Sequence, residues 1–147
     1  MFNKILPVLF MILFGNFIYA NQFVNIPQGT YVGEMKQVGP TGHWDSGPNG
    51  FTASIDANGK LTAIIVAHTI APVYIAQANL VINSVQYDPA VGDCVASGAS
   101  ITGINVSNIL FSNCSFNGKV LSTNFTGTLS VLHVKFAFSG TVNIVMQ

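Results

Sequence analysis

Apolar and polar residues alternate along much of the chain, and a period of two predicts strands. Phe51, Ala53 and Ile55 alternate with Thr52, Ser54 and Asp56. Asp56-Ala57-Asn58-Gly59 supplies turn chemistry, since Asn and Gly accept positive φ. Leu61 to Ile70 is apolar on both faces, which predicts a buried strand and, with the run before it, a hairpin. Pro72 restricts the residues after it to an edge or a loop. Upstream, Thr30 to Lys36 is a short extended run, while the glycine and proline content of Gly39 to Gly50 predicts a loop. Downstream, Leu80 to Tyr87 is another strand, ended by turn signals at Asp88-Pro89 and Gly92-Asp93.

The last third of the chain has two further patterns. Asn117-Gly118 is the dipeptide preferred in tight hairpins. From there the odd positions Leu121, Thr123, Phe125, Leu129 and Val131 are mainly apolar, and then Val134, Phe136 and Phe138 take over. Such a change of phase requires a bulge or a turn near residues 131–133. Ser139-Gly140 reads as one more hairpin turn before Val142, Ile144 and Met146. Ile101, Val106, Phe111, Phe116 and Leu121 also recur every five residues, each followed by two small polar residues. That period is similar to a pentapeptide-repeat β-helix, but the flanks do not continue it, and such a solenoid needs several stacked coils to bury a core. No stretch keeps a helical period. The expectation is a single all-β domain of eight to ten strands, an antiparallel sandwich or barrel.

The first twenty residues stand apart. Lys4 precedes an apolar run from Ile5 to Phe14, and Ile18-Tyr19-Ala20 ends in a small residue. This is the layout of a signal peptide cleaved after Ala20, and the run is short of the roughly 20 residues that cross a bilayer. The expected division is 1–20 signal peptide and 21–147 exported domain, secreted or periplasmic, with no stable membrane span after cleavage. Composition sharpens this picture. Of 147 residues, 50% are hydrophobic and 7% charged, and five lysines balance five acids with no arginine. Half-apolar composition argues against disorder. Neutrality argues against nucleic acid as a partner, because phosphate binding needs a cationic surplus. A surface with so few charges has little repulsion to keep copies apart.

Export places Cys94 and Cys114 in an oxidising compartment, so a disulfide is expected. His43, Trp44 and Asp45 sit together in the Gly/Pro loop. A His-x-Asp pair can ligate a metal or move a proton, but it needs further groups, and His68 and His133 have no sequence reason to join it. Trp44 is a candidate either for anchoring a ligand or surface, or for plugging one end of a barrel. The candidate binding residues are therefore Trp44, His43 and Asp45. No catalytic residue, metal or cofactor is expected: no GxSxG or phosphate loop is present. A small hydrolase or metal enzyme using His43, Asp45 and His133 is the minor reading. Asn105-Val106-Ser107, Asn113-Cys114-Ser115 and Asn124-Phe125-Thr126 match the glycan acceptor pattern.

The stretch ASITGINVSNILFSNCSFNGKVLSTNFTGTL resembles the second half of small secreted bacterial proteins, the PraB-type activators of alkane oxidation. FSGTVNIVMQ resembles their ending, and FTASIDANGKLTAI is similar to their first hairpin. Members usually carry more cysteines than Cys94 and Cys114. The resemblance implies a non-enzymatic extracellular protein acting in biofilm adhesion or at hydrophobic interfaces, and no catalytic residue carries over. GTYVGEM with FTASIDANGKLTA also resembles the first strands of calycin barrels such as avidins, without the tryptophans of their pockets. The leading expectation is an exported β-protein that acts by binding a hydrophobic surface or ligand, or by self-association. The alternative is a small-molecule-binding calycin-like barrel.

Overall fold

A computed structural model describes residues 22–39, 42–69 and 75–147. The expected signal peptide and Pro72 lie outside the described residues. Ten strands succeed one another: β1 Val24–Asn25, β2 Gly29–Gly39, β3 Gly42–Asp45, β4 Phe51–Ile55, β5 Leu61–Thr69, β6 Ile75–Tyr87, β7 Cys94–Thr102, β8 Val106–Phe116, β9 Val120–Val131 and β10 Val134–Met146. All pair antiparallel in one sheet of order β1-β6-β5-β3-β2-β10-β9-β8, with β4 between β2 and β5 and with β7 on β6. The sheet curls into a half-barrel, so the fold is all-β, as the alternation predicts.

Local chemistry explains the turns. Asp56 Oδ1 accepts from the backbone N–H of Asn58 at 2.8 Å and of Lys60 at 3.0 Å, and Gly59 takes φ +77°. Asn117 Oδ1 does the same for Lys119 and Val120, at 3.0 and 2.7 Å. The change of phase after β9 is a turn: Val131 pairs with Val134, and Leu132 and His133 both have positive φ. This is the geometry of a two-residue type I′ hairpin, for which Asn-Gly is the preferred pair. Leu and His in the left-handed region cost roughly 1–2 kcal/mol each.

Three expectations need correction. Ser139-Gly140 is no turn, because β10 runs unbroken from Val134 to Met146. Gly140 is there for space: a Cβ would strike the Phe125 ring and the Lys36 carbonyl oxygen. A glycine inside a strand marks such a close approach as readily as a turn. The Gly/Pro-rich segment 39–50 is not all loop either, since β3 pairs with β2 and β5. Finally, β5 is not buried on both faces. Leu61, Ala63 and Ile65 are buried, but Ile64 is 47% exposed.

The five-residue period is real, but it does not build a β-helix. Gly98, Gly103, Asn108, Asn113 and Gly118 all have positive φ. Between them, inward side chains come at alternate spacings of two and three along β7 and β8. Each repeat carries one residue more than a flat strand can place, and a left-handed Gly or Asn absorbs it. On β8 the register to β9 slips between Ser107 and Leu110 and again between Ser112 and Ser115. On β7, Gly98 lies against Asn83, and β6 changes phase with it, from buried Ile82 to buried Val85. Repeated bulges increase twist and curvature. They wrap this side of the sheet around the core.

Candidate functional site

The curled sheet has two unlike ends. One is closed by aromatic packing. Tyr31 and Phe116 are fully buried, Tyr87 meets Phe116 edge-on at 4.8 Å, and Ile26 seals the cluster from the N-terminal side. The Tyr31 hydroxyl donates to the Pro27 carbonyl at 2.8 Å. Burial, and secondarily Tyr87, pushes the Tyr31 phenol above its ordinary pKa. At this same end Cys94 and Cys114 form a disulfide with a Cα–Cα distance of 4.9 Å. It joins β7 to β8, which no ladder pairs; among the described residues a single bridge, Asp93 to Ser115, lies beside it. The disulfide, as expected from the sequence, is therefore also the clasp of the half-barrel.

The other end is a cup. Its walls are Met35, Phe51, Ile65, Ala78 and Leu80 from the first half of the sheet, with Phe125, Leu129, Phe138 and Val142 from the second. Ile101, Ile104, Val106, Ile109 and Phe111 complete it. Gln37 is the one polar side chain among these described lining residues, and none of them is charged. The enclosed volume is about 50 Å³. Many lining residues, including Ile101, Ile104, Val106, Ile109 and Phe111, are only half-buried. Apolar surface left within reach of water in this way is costly and often serves binding.

The β9–β10 hairpin projects from the sheet beside this cup. Register places Val38, near the end of β2, opposite Ser139, so Val134 to Phe138 run on with partners only on β9 among the described residues. Five residues of strand extend about 17 Å. Ser130 is still tied back, its N–H donating to Asn105 at 2.9 Å. Beyond it, Leu132 is 91% exposed and Val134 52% exposed.

The sequence candidates fall elsewhere. Asp45 is exposed, and its carboxylate accepts from the Gly47 N–H at 2.8 Å, a local turn bond. By backbone register Trp44 pairs with Gln37 and Thr69, and Asp45 pairs with His68. The side chains of His43, Trp44 and His68 lie outside the described residues. His133 is exposed on the hairpin turn, in the part of β9–β10 that extends past the register with β2 and so apart from the Asp45–His68 pair. Among the described residues no group of three His, Cys, Asp or Glu side chains could hold a metal. No helix among them is long and apolar enough to cross a membrane.

Sequence reasoning missed the cup, although a signal was present. Ile101, Val106, Phe111 and Phe116 are one series at spacing five, and Ile104, Ile109 and Cys114 are a second, interleaved with it. Two inward series, and not one, identify a bulged strand facing a core. Comparison of the chain with protein-family models, curated proteins and solved structures finds no match.

Proposed function

We propose that this is an exported, non-enzymatic binding protein that engages an apolar partner through the open end of its half-barrel. One observation carries the reading: among the described residues, half-buried Ile, Val, Leu and Phe side chains with no charged group among them line a cup at one end of a sheet whose other end is packed with aromatic rings. Burying that lining stabilises a complex by roughly 25 cal/mol per Å² of apolar surface. The disulfide is compatible with export, and the resemblance to the PraB-type proteins supports a role at hydrophobic interfaces or in adhesion.

The test is partition of the purified protein onto octyl-coated beads, an extended apolar surface that meets the rim of the cup and need not enter it. Ile104→Gln and Ile109→Gln are expected to weaken its binding about tenfold, the effect of about 1.4 kcal/mol. Binding equal to wild type in both variants would remove the cup from consideration. A calycin-like receptor for a small ligand is the second reading, favoured by the continuous apolar lining. The cup is small for it, since drug-sized ligands occupy pockets of about 300–1,000 Å³. A shift in Trp44 fluorescence when a small apolar ligand is added would favour this reading.

A further inference from the structure

Three Asn-Gly dipeptides occur in the chain: Asn49-Gly50, Asn58-Gly59 and Asn117-Gly118. In each, a backbone nitrogen follows a carboxamide, and glycine has no Cβ to hinder an approach of one to the other. All three asparagines are exposed, but the fold treats the glycine nitrogens differently. Gly50 donates its N–H to the Gly47 carbonyl at 3.2 Å, and a Cβ on it would strike the Ser46 carbonyl oxygen. Gly59 is buried and donates to the Asp56 carbonyl at 3.0 Å. Gly118 is exposed, and its N–H has no hydrogen-bond partner among the described residues. Nothing lies within 4 Å of where its Cβ would stand.

The Asn117 side chain is held in a way that suits attack. Its Oδ1 accepts from the N–H groups of Lys119 and Val120 at 3.0 and 2.7 Å. Two fixed donors draw electrons from Cγ and stabilise negative charge that develops on this oxygen. Its Nδ2 has no hydrogen-bond partner among the described residues, so no bond to the protein holds the group that must depart.

We propose that Asn117 is a site of self-modification, where the Gly118 nitrogen displaces the carboxamide nitrogen of Asn117. The Gly118 N–H gives its proton to water or hydroxide, the bond from that nitrogen to Asn117 Cγ forms, and charge passes to Oδ1 beneath the two N–H groups. When the carbonyl re-forms, the Cγ–Nδ2 bond breaks, and Nδ2 takes a proton from water and leaves as ammonia. A second water opens the cyclic imide at either carbonyl and leaves Asp or isoAsp at position 117. The net change exchanges Nδ2 for an oxygen of water, and no electrons are transferred. Either product adds one acid to a chain in which five lysines balance five acids.

The experiment incubates the natural disulfide-bonded protein at mildly alkaline pH, beside the same protein reduced and unfolded in guanidinium chloride. Peptide mass mapping reads, at each Asn-Gly, the mass gained when NH2 is replaced by OH. In the folded protein Asn117 is expected to react at least about fivefold faster than Asn49 or Asn58, the factor set by one hydrogen bond that must break. In the unfolded chain the three rates are expected to converge. Anion exchange should show a more acidic form growing in step with the change at Asn117. Asn117→Asp keeps an acceptor for Lys119 and Val120, so it is expected to fold, to elute with that form and to gain nothing further at this position.

Folded-state rates that are equal at the three sites, or faster at Asn49 or Asn58, would overturn the proposal. An unmodified Asn117 in folded protein, after a time in which the unfolded chain has reacted, would show that the turn protects the side chain and would overturn it too. The same preference for Asn117 in guanidinium chloride would trace it to sequence and remove the part assigned to the fold.

Discussion

The two ends of the half-barrel are made from the same strands and the same residue types, yet one is tightly packed and the other, among the described residues, surrounds a cavity. At the closed end Tyr31, Phe116, Ile26 and Val85 are buried to 1–2% exposure or less, and a disulfide holds the strand edges together. At the open end the same strands present half-buried Ile101, Ile109 and Phe111 around a cavity. The difference is one of packing and not of residue type. Tyr31, Tyr87 and Phe116 pack on one another at the closed end beside the disulfide, whereas the cup's own rings, Phe51, Phe111, Phe125 and Phe138, stand in its walls around a cavity. The closed end therefore contributes most to stability, and the binding proposed above is assigned to the other.

That contrast is broken most sharply by truncation. Phe116→Ala is expected to cost about 3–5 kcal/mol, as aromatic-to-alanine changes in packed cores do. Ile109→Ala in the cup is expected to cost about 1 kcal/mol, since much of its surface already meets water. Urea unfolding of the two variants measures both, and equal losses would erase the distinction between the ends. Reduction of Cys94–Cys114, whose sequence separation is 20, is expected to cost on the order of 3 kcal/mol. Thermal melting with and without reductant checks it. If the clasp matters only to the closed end, binding to octyl-coated beads persists below the lowered melting temperature.

Gly140→Ala tests how tightly the strands are layered between the two ends. The new methyl meets the Phe125 ring and the Lys36 carbonyl, and a loss of about 1–3 kcal/mol is expected. A melting temperature equal to wild type would show that Phe125 yields freely. The smallest effect concerns pH. The Tyr31 phenol has its pKa raised in the folded state, chiefly by burial, from the ordinary value of 10.0. The unfolded chain therefore releases this proton first. Stability from this group is complete below about pH 10 and is lost as pH climbs through the raised folded value. Urea midpoints measured from roughly pH 9 to 11.5 should fall more steeply in wild type than in Tyr31→Phe.

Much of the fold was legible in the chain because strand alternation and turn chemistry are local. Asp56–Gly59 and Asn117-Gly118 carry their own hydrogen-bond acceptors and positive-φ residues, so no distant contact is needed to fold them. Gly140 was misread because its reason lies on Phe125 and Lys36, fifteen residues or more away. The cup was missed because its lining comes from eight strands, and no window of sequence brings Met35, Ile65, Ile101 and Phe138 together.

By itself, then, the sequence determined an all-β chain, its hairpins, its sulfur pairing partners and a nearly uncharged surface. These arise from residue types and near-neighbour spacing. Only the tertiary structure decided that the five-residue period curls a sheet, that the disulfide clasps the seam between β7 and β8, which no ladder pairs, and that an apolar cup lies at one end beside an exposed Leu132. Curvature, closure and cavities come from how side-chain volumes from distant segments meet, and that sum is not written at any one place along the chain.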